Sequence, residues 1–209
     1  MFLFSDIEGS TRLWAAHRYA MELALERHDE LFVRVVEAAG GAVFKHMGDG
    51  IVARFDAAGA AVAAAVEAQR GLAGVDWGAI LSLMVRIGIH AGEAQQRAGD
   101  WFGPVLNRTA RLMAVGHGGQ VLLSAAAAEL ARQELAADVS LVDLGAHRLR
   151  DLAVPEHIWQ VAALGLLSSF PPLRSLNTST TNLPSELTSF LGLRQTSLLS
   201  RSRWADIGW

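Results

Sequence analysis

Ala42-Val43-Phe44-Lys45-His46-Met47-Gly48-Asp49-Gly50-Ile51-Val52-Ala53-Arg54-Phe55 sets two short strand-like runs, 42–47 and 51–55, on either side of a Gly-Asp-Gly turn. Turn chemistry between two apolar runs predicts a β-hairpin. Upstream, the apolar run Met1 to Ser5 stops at Asp6, and Ser10-Thr11 opens a long amphipathic stretch that closes at Gly40-Gly41. That is a strand, a helix and a glycine stop. Downstream, Ala57 to Leu72 is almost pure alanine, valine and charge and reads as a helix. Met84 to His90 follows, with Val85, Ile87 and Ile89 in alternation, and reads as a strand. The order β-α-β-β-α-β is the ferredoxin-like split unit, so the predicted class is α/β, an α+β sandwich on a ferredoxin-like core. A C-terminal extension is expected from a helix at Gly103-Pro104 through Met113, a strand at Gln120 to Leu123, an alanine-rich helix capped by Ser124, and strands at Val139 to Val142 and His157 to Val161.

The 209 residues suffice for one core and a modest appendage. With 51% hydrophobic and 19% charged residues the chain is globular, and a formal charge of −3 disfavours a basic nucleic-acid-binding module. Zero cysteines exclude disulfide scaffolds, thiolate nucleophiles and Cys-type metal centres. Charges interrupt every apolar run before the ~20 residues that a membrane span requires. Met1-Phe2-Leu3-Phe4 carries no basic segment before it and meets Asp6 and Glu8 at once, so no signal peptide is expected and the expected location is cytoplasmic, with no membrane partner. From about Leu164 the texture turns to serine, threonine and proline around Phe170-Pro171-Pro172. The expected boundary therefore falls between a domain at 1–164 and a linker at 165–209, with residues beyond about Leu166 dispensable.

Two acidic residues stand where chain ends converge. Asp6 closes a strand before a helix, and Asp49 tips the hairpin. Singly, an aspartate at either place is ordinarily a helix cap or a turn former. Together, the split topology makes strand 1 and the hairpin sheet neighbours, so two carboxylates meet with oxygen ligands suited to Mg²⁺ or Mn²⁺. Asn107 and Arg111, spaced i, i+4, share one helix face: either a solvated face, or an amide and a planar fork for a ligand phosphate. Lys45 lies in an otherwise apolar strand, where a lysine usually guards an edge.

Four motifs then assemble in order: Phe2 through Thr11, Phe44 through Gly50, Arg86-Ile87-Gly88-Ile89-His90-Ala91-Gly92-Glu93, and Gly99 through Leu112. Over Met1 to about Ala162 they resemble the class III nucleotidyl cyclase catalytic domain. The resemblance implies that Asp6, Ile7 and Asp49 form the metal site and that Lys45 and Asp100 read the purine edge. It also implies that Asn107 orients the ribose and Arg111 stabilises the transition state. Arg150, in Arg148-Leu149-Arg150-Asp151-Leu152, falls where the family has a triphosphate-binding lysine. Two Mg²⁺ or Mn²⁺ ions per site and a head-to-tail homodimer are implied as well. The stretch 170–176 with 182–192 is similar to the junction between such a domain and a signalling ATPase module in actinobacterial-type transcriptional regulators; no Gly-x-x-x-x-Gly-Lys-Ser/Thr loop follows, which points to a truncated member.

Adenine offers a ring nitrogen acceptor and an exocyclic amino donor, which a lysine and an aspartate complement, so Lys45 with Asp100 favours ATP over GTP. The expected activity is conversion of ATP to 3′,5′-cyclic AMP and pyrophosphate. The alternatives are a catalytically silent nucleotide-binding module of a signalling protein and a purely interacting domain. A diguanylate cyclase would need a Gly-Gly-Asp/Glu-Glu-Phe hairpin, which Gly48-Asp49-Gly50-Ile51 is not.

Overall fold

The computed structural model describes residues 1–176. Its elements are β1 (Phe2–Ile7), α1 (Ser10–Ala16), α2 (Arg18–Ala38), β2 (Ala42–His46), β3 (Ile51–Arg54), α3 (Ala58–Ala73), β4 (Val85–His90), β5 (Gln95–Arg97), β6 (Asp100–Phe102), α4 (Pro104–Ala114), β7 (Val121–Ser124), α5 (Ala125–Ala131), β8 (Val139–His147) and β9 (Glu156–Ala163). Seven strands form one sheet in the order β2-β3-β1-β4-β7-β9-β8. The first four strands, in the order β2-β3-β1-β4 and antiparallel throughout, are the predicted ferredoxin-like unit. β7 joins parallel to β4, and β9 and β8 continue antiparallel, as the extension.

Strand alternation sorts the side chains between two faces. Leu3, Ile7, Ile51, Ala53, Val85, Ile87, Ile89, Val121 and Leu123 join α2, α3 and α5 in the main core. Their neighbours Phe4, Asp6, Arg86, Gly88 and Leu122 turn to the opposite face, where α4 lies. Gly88 lets that helix approach, since a Cβ there would stand 2.7 Å from the Met113 nitrogen. On this face Leu112, Val115, Leu122, Leu149, Ile158 and Leu173 form a second apolar cluster. No helix among the described residues is long and apolar enough to cross a membrane.

Several boundaries differ from expectation. β1 continues through Asp6 and Ile7 because its ladder with β4 continues, pairing Asp6 with Arg86 and Ile7 with Val85. The long helix breaks at His17, whose φ of −141° leaves the helical region, although no proline or glycine marks the spot. β8 is longer than Val139 to Val142 because a bulge between Asp143 and Gly145 lets pairing resume. Gly145 has φ +80° and donates its N–H to Asp143 Oδ1 at 2.7 Å. The small hairpin β5-β6 was not expected: its strands have only three residues each, and it turns on Ala98 and Gly99, both at positive φ. The Ser124 cap is present, accepting from the Ala127 N–H.

The expected linker boundary at 164/165 falls inside packed structure. Leu173 and Ser175 are buried. The Arg174 N–H donates to the Val115 carbonyl at 2.9 Å and the Leu176 N–H to the Arg148 carbonyl at 3.0 Å. Composition misled because the serines and prolines surround a single apolar anchor, Leu173, and the backbone finds partners in loops already in place. The described residues, 1–176, all belong to one compact unit. Of the stretch expected to be a linker, 177–209 lies outside the described residues.

Candidate active site

At the end of β1, the Gly48-Asp49-Gly50 turn closes against the strand it neighbours. Gly48 adopts φ +74°, a conformation that disfavours other residues. Gly50 is required by proximity, since a Cβ there would lie 2.2 Å from the Ser5 carbonyl oxygen. The Ile7 N–H donates to the Asp49 carbonyl at 3.3 Å, and the Ile51 N–H to Ser5 Oγ at 3.0 Å, which pins the hairpin tip beside Asp6.

The Asp6 carboxylate is met by Arg86, through Nε at 2.8 Å and Nη2 at 2.6 Å. Arg86 also donates to the Ala114 carbonyl at the end of α4, at 3.1 Å. Burial raises the Asp6 carboxyl above the usual carboxylate range; Arg86 opposes the rise, and the neighbouring Asp49 and Glu8 charges add to it. A cation between Asp6 and Asp49 would relieve that repulsion, and two carboxylates with a backbone carbonyl are the hard oxygen donors that Mg²⁺ or Mn²⁺ takes. The donor set fits such an ion in part only. Among the described residues no group of three or more His, Asp or Glu side chains gathers anywhere to complete a shell, so nucleotide phosphate and water would supply the rest.

Between β2, β3, the β5-β6 hairpin and the start of α4 lies a cavity of about 720 Å³. Phe4, Phe44, Val52 and Trp101 give it apolar walls, and Lys45, Asp100, Asn107 and Asp151 are its polar lining. The size and the few convergent polar groups suit a small organic ligand. Lys45 Nζ donates to Asp100 Oδ2 at 2.7 Å, and the Trp101 N–H to Asp100 Oδ1 at 2.8 Å. The Lys45 contact, with the backbone N–H, holds the Asp100 carboxyl below its ordinary range. Phe2 fixes the wall from behind, packing edge-on to Phe44 at 6.1 Å and to Trp101 at 5.9 Å.

One turn along α4 from Asn107, Arg111 donates to Asp151 Oδ2 at 2.7 Å, and Asp151 itself lines the cavity. The structure thus brings Lys45, Asp100 and Asn107 to one cavity, with Arg111 tied to its edge. It keeps Asp6, Ile7 and Asp49 together at the β1 end, outside the cavity lining, and leaves Arg150 exposed in the turn before β9. Sequence reasoning missed Arg86, Asp151 and Trp101. The alternation Val85-Arg86-Ile87 carried a signal for the first, a cation on the same sheet face as Asp6. Nothing local marked the partnership of Asp151 with Arg111.

The adenylate and guanylate cyclase catalytic domain family matches residues 1–151. An uncharacterised protein of Mycobacterium tuberculosis is 40% identical over 195 residues, 92% of this chain and 66% of that protein, so the chain spans just under two thirds of that relative's length. An adenylate cyclase of Schizosaccharomyces pombe is 32% identical over 148 residues, 59% of this chain and 9% of its own length. Among solved structures, a structural analysis of adenylate cyclases from Trypanosoma brucei in their monomeric state aligns with a TM-score of 0.74 at 26% identity, covering 83% of this chain and 91% of that one. A family match that runs through the whole ferredoxin-like core and α4 leads to one conclusion: the chain belongs to the adenylate and guanylate cyclase catalytic domain family.

Proposed function

We propose that the chain is an adenylate cyclase that closes ATP to 3′,5′-cyclic AMP and releases pyrophosphate. The observation that carries this reading is the Lys45–Asp100 contact of 2.7 Å on the wall of the aromatic cavity. That pair offers one donor and one acceptor, the complement of the adenine edge. Phe44 and Trp101 supply apolar surface for the ring, and Asn107 supplies an amide for the sugar. In the reaction the 3′-hydroxyl oxygen forms a bond to the α-phosphorus, the bond from that phosphorus to the bridging oxygen breaks, and the hydroxyl proton is lost. The protein's task is mainly to fold the nucleotide and stabilise charge on the phosphoryl group. Arg111, whose planar guanidinium now holds Asp151, is the group assigned to that charge.

Asp6, Asp49 and the Ile7 carbonyl would hold two Mg²⁺ or Mn²⁺ ions, which when bound supply charge neutralisation and acidify the attacking hydroxyl. Because these residues stand outside the cavity lining, the reading places each nucleotide at a homodimer interface, the carboxylates from one protomer meeting the cavity and α4 of its partner. Arg150 is assigned to the triphosphate.

Purified protein incubated with Mn-ATP and with Mn-GTP, with products resolved by chromatography, tests the proposal. Cyclic AMP and pyrophosphate formed preferentially from ATP are expected. A preference for GTP would overturn the base assignment, and nucleotide binding without any product would identify a silent nucleotide-binding module.

A further inference from the structure

Residues 165–176 touch, among others, three segments that each carry a residue of the candidate site. Arg174 bonds to Glu8, two residues past Asp6. Its backbone N–H holds the Val115 carbonyl just after α4, the helix of Asn107 and Arg111, and His117 Nε2 in the same loop contacts the Pro172 carbonyl at 3.1 Å. The Leu176 N–H holds the Arg148 carbonyl, in the loop of Arg150 and Asp151. Leu173, buried against Leu112 and Leu149, anchors the strap between these contacts.

Glu8 is the point at which the strap meets the candidate metal site. Its backbone N–H continues the sheet ladder to the Met84 carbonyl at 2.8 Å, its Oε2 accepts from the Gly118 N–H at 2.8 Å, and its Oε1 accepts from Arg174. These three hydrogen bonds fix the Glu8 carboxylate and, with it, the peptide that joins it to Ile7 and Asp6. We infer that Arg174 is a positioning residue: through Glu8 it sets the place of the Asp6–Ile7 segment and thereby the affinity of that segment for a divalent cation. This rests on the metal assignment of the proposed function, but not on cyclisation.

A charge effect and a positioning effect differ in sign. If the pair acted only through its charges, removing the Arg174 cation would tighten Mn²⁺ binding and removing the Glu8 anion would weaken it. Positioning predicts that both removals weaken it. Mutation of groups directly behind a ligand costs 10–100-fold in metal affinity, and action through a turn should cost less, roughly three- to tenfold.

The experiment titrates Mn²⁺ into the full chain by electron paramagnetic resonance, with 3′-deoxy-ATP present so that no product forms, for the wild type, Arg174→Gln, Glu8→Gln and the double variant. Glu8→Gln keeps an oxygen for the Gly118 amide. The expected result is that both single variants, folded by circular dichroism, bind Mn²⁺ three- to tenfold more weakly and that the double variant is no worse than either. The inference is overturned if Arg174→Gln binds Mn²⁺ as well as or better than wild type, if the two single losses multiply, if both variants unfold, or if the wild type binds no Mn²⁺. Cyclase assays on the same samples report separately on the proposed function, since a chain that binds Mn²⁺ in the expected pattern and makes no cyclic nucleotide refutes that function alone.

Discussion

Asp6 and Asp49 differ in surroundings although the proposal gives them one role. Both are partly buried, but Asp6 is bound to Arg86, whereas Asp49 tips the hairpin turn. If both hold the catalytic cations, Asp6→Ala and Asp49→Ala should each reduce cyclisation by at least about a hundredfold, since a dication held through one remaining carboxylate cannot serve both nucleophile and triphosphate. Circular dichroism should show both variants folded; near wild-type rates in either at saturating Mn²⁺ would refute the assignment. His90 makes a prediction independent of catalysis. Burial, helped by the Arg108 and N-terminal charges, pushes its pKa down from 6.5 to about 4, and Nδ1 lies 2.6 Å from Ser124 Oγ. Between those pH values the unfolded chain takes up a proton that the folded chain refuses, so stability falls as the pH falls. From pH 7 to pH 5 this one residue should remove about 2 kcal/mol of stability, measured as the difference in pH dependence between wild type and His90→Gln in urea denaturation. Equal pH dependence in the two would show that His90 takes up its proton equally in the folded and the unfolded chain.

Among the elements, α4 and the 165–176 strap set the geometry of the candidate site. α4 lies close to the sheet because Gly88 presents no side chain to it, and Arg86 joins its last carbonyl to Asp6. The two halves of the proposed machinery are thereby connected within one chain. The strap closes the second apolar cluster through Leu173, which is 4% exposed. Leu173→Ala should cost about 2–4 kcal/mol of unfolding free energy, the range for truncating a buried leucine, and a chain ending at 164 should lose at least as much. Chemical denaturation checks both, and a change under 0.5 kcal/mol, the usual scale of surface substitutions, would return the strap to the status of a linker.

For the whole molecule, the composite site proposed for a homodimer makes two inactive chains mutually curable. A dimer of one Asp6→Ala chain and one Arg111→Ala chain gathers both lesions in one site and leaves the other intact. With random pairing half the dimers are mixed and each has one working site of two, so mixing should recover roughly a quarter of wild-type activity by symmetry. No recovery, under conditions shown to exchange subunits, would require Asp6 and Arg111 to act within one chain.

The sequence by itself determined the order of the elements apart from the β5-β6 hairpin and the break at His17, because apolar alternation, a Gly-Asp-Gly turn and a serine cap are local signals set by backbone sterics and by which side chains must leave water. It also determined the candidate residues, since Asp6, Lys45, Asp49, Asp100, Asn107 and Arg111 stand in contiguous motifs. Arg150 was legible only as a position in a loop. Tertiary structure alone decided which of them share a surface. That Lys45 reaches Asp100 across 55 residues, that Arg86 holds Asp6 across 80, and that Arg174 reaches back to Glu8 across 166 follow from sheet order and from packing on both its faces. The residues after 164 show the same division: their composition reports a low demand for burial, but one leucine inserted into an existing apolar cluster is enough to order them, and a cluster assembled from distant segments leaves no local trace in the chain.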